Sequence, residues 1–342
     1  MTTGHVDSIA PAGVPALRWG IVGTGGIANL IARHIATTPL AGLSASSSRT
    51  MSSAREFANR HGAEFAFNDW KALCESDEVD AVYVATPTSV REEISIYAAR
   101  AGKHVLAEKP FASAESVQRI VAACRDNDVA FMDGTHFVHH PRTHTLKREA
   151  LINTGKPLSL DSAFQFALPD RGNIRYNPEL EPMGAIGDAG WYNMRAAVEY
   201  LAPGATVRSV NAVLRRDDAS GAAIAGAGVI QFNDGTTTTW NCGFDSGASV
   251  MELRVTGTNG VVSIENFLHE DADHSGSYYY RKAEPEAVNE VRRIESHLSS
   301  VASMFERFAA IAADATLRDY YATATLRTQA LLDACWESAE LK

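Results

Sequence analysis

From residue 17 onward, short apolar runs alternate with longer stretches whose apolar positions recur at helical spacing. Residues 18–22 read as a strand, 27–36 as a helix, 43–47 as a strand and 53–60 as a helix, a βαβα order. Residues 79–85 (VDAVYVA) have no polar face and stop at Thr86-Pro87, the pattern of a central strand buried on both sides. A helix over 89–101 closes at Gly102. A strand over 103–107 then runs into Glu108-Lys109-Pro110, where proline ends ladder and helix alike. A helix over 114–126 and a strand over 129–133 follow.

The pattern changes after His139. A long helix over 143–153 and another around 187–201 are joined by strands with no helices between them, near 159–166, 207–214, 225–232, 236–244, 252–256 and 261–266. Residues 269–277 read as a polar loop, and 321–341 as a final helix. Alternating units followed by a run of strands predict two domains. The first is an α/β Rossmann domain with a doubly wound parallel sheet over 17–138. The second is an α+β domain with a large, mostly antiparallel open sheet over 139–320. Residues 321–342 are expected to pack back on the first domain, and residues 1–16, with Pro11, Gly13 and Pro15, to form a flexible arm.

A length of 342 residues fits two domains, and 45% hydrophobic with 21% charged residues is an ordinary globular composition. The net charge of −10 and the scattered basic residues exclude the footprint of a nucleic-acid binder. Cys74, Cys124, Cys242 and Cys335 show no CxxC spacing, so reduced, buried thiols are expected rather than a zinc site or a redox pair. No window approaches the ~18 uninterrupted apolar residues of a membrane helix. No membrane contact and a cytoplasmic location are the resulting expectations.

The turn Gly23-Thr24-Gly25-Gly26-Ile27-Ala28 follows an apolar strand and opens an apolar helix, the context that the GxGxxG/A dinucleotide fingerprint requires. Gly23 permits a tight turn, Gly25 lets backbone approach a pyrophosphate, and Ala28 keeps helix and strand close. The acid that accepts a ribose 2′-hydroxyl in NAD enzymes belongs about twenty residues on. Here the chain reads Ser47-Ser48-Arg49-Thr50. A guanidinium among hydroxyls suits a 2′-phosphate, which favours NADP over NAD. The alternative is that Arg49 is a solvated loop residue or stacks on adenine.

Four motifs carry a resemblance: the GxGxxA turn, Ala85-Thr86-Pro87 after the fourth strand, His104-Val-Leu-Ala-Glu108-Lys109-Pro110 after the fifth, and Gly187-Asp188-Ala-Gly-Trp-Tyr192 in the second half. Together they resemble the glucose-fructose oxidoreductase/inositol dehydrogenase/MocA family over almost the whole chain. The match is to its branch with tyrosine, rather than histidine, at the position of Tyr192. The resemblance implies an NAD(P)-dependent oxidoreductase acting on CH–OH groups, which moves a hydride between nicotinamide C4 and a carbinol or ketone carbon. Its substrate would be a sugar, cyclitol or sugar-like ring. Thr86, Pro87, Glu108 and Lys109 would face the cofactor, with Lys109, Asp188 and Tyr192 as catalytic groups.

The chemistry suits these residue types. A secondary alcohol must lose its hydroxyl proton as hydride leaves, and a phenol with a pKa near ~10 needs a nearby cation to act as base at neutral pH. Tyr192 would exchange the proton and Lys109 would supply the charge. Asp188 and Tyr192, four apart, share a helix face. Without the resemblance, Lys109 reads as an exposed lysine, Asp188 as a helix cap and Tyr192 as a core aromatic.

Family members often carry Asn after the ATP proline and His three further on, where this chain has Thr88 and Arg91. His136, His139 and His140 lack an HExxH pattern and are read as contacts for substrate hydroxyls, with no metal expected. Asn173 and Arg175 are further candidates for holding a polyhydroxylated ligand. Alternatives are a trans-dihydrodiol-type dehydrogenase, a non-catalytic nucleotide-sensing module, or a glycoside hydrolase using hydride transfer transiently. A homodimer or homotetramer is expected, because an open sheet needs its face covered.

Overall fold

The computed structural model describes residues 13–201 and 204–341, so the expected arm falls, for residues 1–12, outside the described residues. The chain divides into two compact units. One comprises residues 13–139 with Leu298–Leu326, the other His140–His297 with residues 327–341.

The first unit holds six strands: β1 (Leu17–Val22), β2 (Ala41–Ser47), β3 (Phe65–Phe67), β4 (Ala81–Val84), β5 (His104–Ala107) and β6 (Phe131–Asp133). They pair in the order β3-β2-β1-β4-β5-β6, and every pairing is parallel. Five helices return the chain between them: α1 (Gly26–Ile35), α2 (Met51–His61), α3 (Trp70–Glu75), α4 (Thr88–Arg100) and α5 (Ala114–Asp126). This is the doubly wound order, and its direction reverses between β1 and β4.

Local sequence explains the elements. In α1 the buried residues are Ala28, Ile31, Ala32 and Ile35, the i, i+3, i+4, i+7 stripe of one helix face. The Thr50 hydroxyl caps α2 by accepting from the Ser53 amide, and Gly62 ends it at φ 75°. All four residues of β4 are buried, as a strand covered on both faces demands.

Helix Ser300–Ala313 was not anticipated, and it belongs to the first unit. Phe305 meets Trp19 edge-on with ring centroids 4.8 Å apart, and Phe308 packs on the same indole at 5.0 Å. The final helix, Arg318–Glu340, was expected to pack back on the first domain as a whole, but the division between the units falls within it. The Thr325 hydroxyl donates to buried Asp133 at 2.6 Å in the first unit. Beyond Leu326 the helix packs in the second unit, where Ser338 bonds the Ala212 amide and the Val210 carbonyl.

The second unit contains β7 (Pro157–Ala167), β8 (Val207–Arg216), β9 (Ala223–Phe232), β10 (Thr237–Gly243), β11 (Asp245–Val250), β12 (Leu253–Gly257), β13 (Gly260–Ile264), β14 (Gly276–Lys282) and β15 (Glu290–Ile294). The order is β15-β14-β13-β12-β7-β10-β9-β8, with β11 also against β7. Among these strands of the described residues, β7 and β10 pair in parallel and the other ladders are antiparallel. One face packs on helix Gly190–Tyr200, whose Asn193 amide donates to Ser162 of β7 at 2.9 Å. The other face presents polar side chains such as Arg254, bonded to Asp161 at 3.0 Å, and the exposed Val213 and Val229. Among the described residues no helix is long and apolar enough to cross a membrane.

The helix expected over 143–153 is α-helical at Pro141–Thr145 and Leu151–Asn153, with a π turn at Leu146–Ala150 between them. Lys147, in that turn, donates to Glu199 at 2.6 Å, and Arg195 donates to the other Glu199 oxygen at 2.9 Å. Burial opposes the Glu199 charge, but Arg195 and Lys147 outweigh it and hold the pKa at about 2. A depressed carboxylate stabilises the fold above its unfolded pKa and loses that contribution as pH falls through its folded value. Glu199→Gln is expected to lower the unfolding free energy at neutral pH by about 3 kcal/mol. In urea titrations across acid pH, the parent is expected to lose stability from pH 4.5 toward pH 2, and the variant should lack that decline.

Candidate active site

The turn after β1 is set by Gly23, whose φ of 101° disfavours any side chain. A Cβ there would also stand 2.7 Å from the Ala85 carbonyl, so the turn rests directly against the end of β4. Gly25 and Gly26 are different: a Cβ on either would meet nothing within 4 Å. The backbone is bare there because space is kept beside it, at the N-terminus of a ten-residue helix with no acid in its first turn. That is a cradle for an anion. Thr24 donates to Ser48 at 3.2 Å, joining the glycine turn to the end of β2, and Arg49 and Thr50 beyond it are exposed. Asn29, which no sequence motif marks, donates to the Thr24 and Gly25 carbonyls at 3.2 and 2.9 Å and holds the turn from within α1. Ile27 is 39% exposed at the mouth of the turn while Ala28 is fully buried beneath it.

The ends of β4 and β5 adjoin this cradle along the same sheet edge. The Thr86 hydroxyl is a buried polar atom with no hydrogen-bond partner from the protein, a vacancy in the bonding pattern that a ligand amide or hydroxyl can fill. Pro87 precedes α4 as its N-cap. After β5, Glu108 is buried and accepts from the Tyr83 hydroxyl and, at 3.3 Å, from the Lys109 amide. Burial raises the Glu108 pKa against the opposing pull of Lys109, the Tyr83 bond and Arg91. Lys109 is itself buried at 9% exposure, so it is not a solvated surface lysine. The Lys109–Pro110 peptide is cis. Arg91, in α4, donates to the Thr88 hydroxyl at 3.0 Å and to the carbonyls of Thr86 and Pro110.

In the second unit, Asp188 ends helix Gly184–Asp188, and Ala189 continues in right-handed helical geometry into Gly190–Tyr200. Asp188 and Tyr192 therefore do share a face, and Asp188 is not a free helix cap. Its carboxylate takes two bonds from Arg175, at 2.7 and 3.2 Å. Asn173 caps the short turn Ile174–Tyr176 by accepting from the Arg175 amide at 3.1 Å, so the two candidate ligand residues of this loop are built into one local structure with Asp188. Tyr192 is 8% exposed and stands edge-on to Phe164, with centroids 5.4 Å apart.

The three histidines are set against different neighbours. His136 is half-buried and bonds Ser300 at 3.1 Å. His139 is buried and stacks on Tyr321 with centroids 5.6 Å apart. His140 uses both ring nitrogens: Nε2–H donates to the His274 carbonyl at 2.8 Å, and Nδ1 accepts from the Arg142 amide at 2.9 Å. Burial pushes its pKa down to about 4, which keeps it neutral. His139 and His140, the two expected contacts for substrate hydroxyls, thus stand in the interior, one against an aromatic ring and the other on backbone groups. Among the described residues no group of three His, Cys, Asp or Glu side chains is placed to hold a metal ion.

Residues 17–135 match the model of the Gfo/Idh/MocA oxidoreductase family with an NAD-binding Rossmann fold, and residues 153–263 match the C-terminal domain model of the same family. The chain belongs to the Gfo/Idh/MocA family. It is similar to dTDP-3,4-didehydro-2,6-dideoxy-alpha-D-glucose 3-reductase of Actinomadura kijaniata, 33% identical over 232 residues, 66% of this chain and 68% of the relative. It is also similar to D-xylose 1-dehydrogenase (NADP(+)) 2 of Haloferax volcanii, 30% identical over 71% of this chain and 74% of the relative. The crystal structure of KijD10, a 3-ketoreductase from Actinomadura kijaniata in complex with NADP and TDP-benzene, superposes with a TM-score of 0.86 at 26% identity. That match covers 95% of this chain and 98% of the ketoreductase. This Gfo/Idh/MocA protein is an NAD(P)-dependent oxidoreductase acting on CH–OH groups, with the glycine turn and the adjoining strand ends as the groups that fit the dinucleotide.

Two substitutions separate fold from cofactor. Gly23→Ala, forced into strained backbone against a carbonyl, should cost about 1–3 kcal/mol of stability, read as a fall in Tm. Gly25→Asp has room for its side chain and should leave Tm unchanged. Its carboxylate at the anion cradle should weaken NADPH binding by about a hundredfold in a fluorescence titration.

Proposed function

We propose that this enzyme interconverts a secondary alcohol and a ketone on a sugar, cyclitol or sugar-like ring, using NADP in preference to NAD, with Tyr192 as acid and base and Lys109 as its electrostatic aid. The nicotinamide, when bound, supplies or accepts hydride at C4. The rest falls to side chains. The phenol of Tyr192 gives its proton to the oxygen of a ketone under reduction and takes one from an alcohol under oxidation. The ammonium of Lys109 favours the phenolate that this exchange requires at neutral pH. The Arg175–Asp188 pair presents charged donors and acceptors to substrate hydroxyls beside Tyr192.

The observation that carries the reading is the burial of Lys109 directly after β5, on the edge where the Thr86 hydroxyl stands without a protein partner. A buried ammonium at the ligand edge of a doubly wound sheet is costly unless it has work there. The relatives that reduce or oxidise sugars support the substrate class. A second reading, a dihydrodiol-type ring, is favoured by the aromatic cluster near Tyr192, in which Phe164 contacts Phe166 at 5.3 Å and Phe166 contacts Phe244 at 5.3 Å.

The preference for NADP rests on Arg49 beside the hydroxyls of Ser48 and Thr50, and on the absence of an acid from the first turn of α2. Arg49→Ala should weaken NADPH binding by about tenfold and leave NADH binding unchanged. Self-association through the polar face of the second sheet, as a homodimer or homotetramer, completes the proposal, and light scattering reads it.

Turnover with a panel of nucleotide-linked and free ketoses, aldoses, cyclitols and cyclic diols tests the activity. Tyr192→Phe and Lys109→Met are each expected to lower kcat by about a hundredfold or more while NADPH binding stays within a few-fold of the parent. Full activity in Tyr192→Phe would remove it from proton transfer.

A further inference from the structure

Arg91 is 4% exposed, and its guanidinium lies inside the first unit rather than in solvent. It occupies the first turn of α4, where the helix leaves the end of β4. One nitrogen, Nη1, donates to the Thr88 hydroxyl and to the Pro110 carbonyl, and the other, Nη2, donates to the Thr86 carbonyl. Thr86 lies just beyond one strand and Pro110 just beyond the next, so a single planar group ties together two loops whose strands are joined behind them by the β4–β5 ladder and the Glu108 amide on the Val84 carbonyl.

The tie matters because of what the two loops carry. Thr86 brings the unpartnered buried hydroxyl, and the second loop carries Lys109 immediately before Pro110. On the far side of Lys109, Glu108 is fixed by the Tyr83 hydroxyl, which reaches it from β4. Gly134 closes over that pair, since a Cβ there would stand 3.2 Å from Glu108 Oε1 and 3.3 Å from the Tyr83 hydroxyl. Lys109 is thus flanked by two anchored neighbours in sequence, Glu108 held by Tyr83 and Pro110 held by Arg91. The fork of Arg91 cannot be replaced by a point charge, because its two nitrogens serve carbonyls on different loops at once.

We propose that Arg91 is a positioning residue for Lys109: its guanidinium fixes the spacing between the Thr86 and Pro110 strand ends and so sets where the Lys109 ammonium stands. This rests on the reading of Lys109 as a participant in proton transfer. Misplacement of a reacting group by about 1 Å costs on the order of a hundredfold in rate, so a tie of this kind is worth a measurable share of kcat without touching substrate.

The test uses the whole protein and two variants, Arg91→Lys, which keeps the buried charge and loses the fork, and Arg91→Gln, which loses both. Arg91→Lys also guards against a folding failure of Arg91→Gln. Four quantities are read: Tm, the NADPH dissociation constant, kcat and KM on the substrate that the panel yields, and the pH profile of Lys109 labelling by trace acetic anhydride, quantified by mass spectrometry. Both variants are expected to lose about tenfold or more in kcat and to shift the labelling midpoint of Lys109, with NADPH affinity within a few-fold of the parent. An unchanged kcat and labelling profile would overturn the inference. So would a fall in NADPH affinity and Tm large enough to account for the whole loss of turnover, because Arg91 would then be a general structural residue. Lys109→Met, measured alongside, separates the two readings. Turnover that survives it removes Lys109 from the chemistry, whereas turnover lost there but intact in the Arg91 variants overturns the positioning role alone.

Discussion

Parallel pairing of β1, β4 and β5 is the constraint on which the rest of the first unit depends. Strands that run the same way must end at the same edge, and each must be followed by a crossover that turns away from that edge. Residues 23, 86 and 109, far apart in the chain, are brought to one line by this rule alone. The reversal of order between β1 and β4 then opens a crevice there, because the crossovers on either side of it leave to opposite faces. Gly23 is the contact that records the geometry most directly, its Cα hydrogens occupying the room between its own turn and the Ala85 carbonyl.

An edge that collects strand ends also collects backbone groups that no ladder satisfies, and the protein meets this with buried charge. Arg91 takes the carbonyls of two loops, Glu108 takes the hydroxyl of Tyr83 and an amide, and Asp133 takes Thr325 together with the amide and hydroxyl of Thr135. A lone buried ion is expensive, but an ion whose bonds are filled from several elements locks those elements into one arrangement. The second unit uses the same device where Glu199 joins Arg195 to Lys147 and fastens helix Gly190–Tyr200 to the π turn. A π turn costs regular hydrogen bonding, and here it carries the lysine that completes the pair.

The legible parts of the sequence were those where a local rule leaves no choice. The bounds expected for the helix over 114–126 are those observed for α5, because Ser113 caps it and its apolar positions keep one period. The glycine turn was legible because φ near 101° is a demand that few residues meet. Helix Ser300–Ala313 was missed although its apolar positions do recur with a helical period, and it buries polar Ser300, Ser303 and Glu306 along with them. Strands β14 and β15 were hidden, one by the polar loop before it and the other by a charged sequence, EVRRI, suited to an exposed edge. β3, three half-buried residues long, is too short to show alternation.

The site divides along the same line. Lys109 and Tyr192 were marked by motif, but the partners that hold the site together were not, because a backbone carbonyl accepts a hydrogen bond whatever residue bears it. Arg91 therefore read only as a departure from the family pattern, though its bonds make it a structural element of the cofactor edge. The histidines were marked by their spacing in the sequence alone. Three imidazoles in five residues suggest a binding cluster, yet each is set against a different neighbour. His136 bonds Ser300, His139 stacks on Tyr321 and His140 bonds the His274 carbonyl. Closeness in sequence brings side chains to one face only when the backbone period allows it, and Asp188 and Tyr192, at helical spacing through Ala189, satisfy that condition.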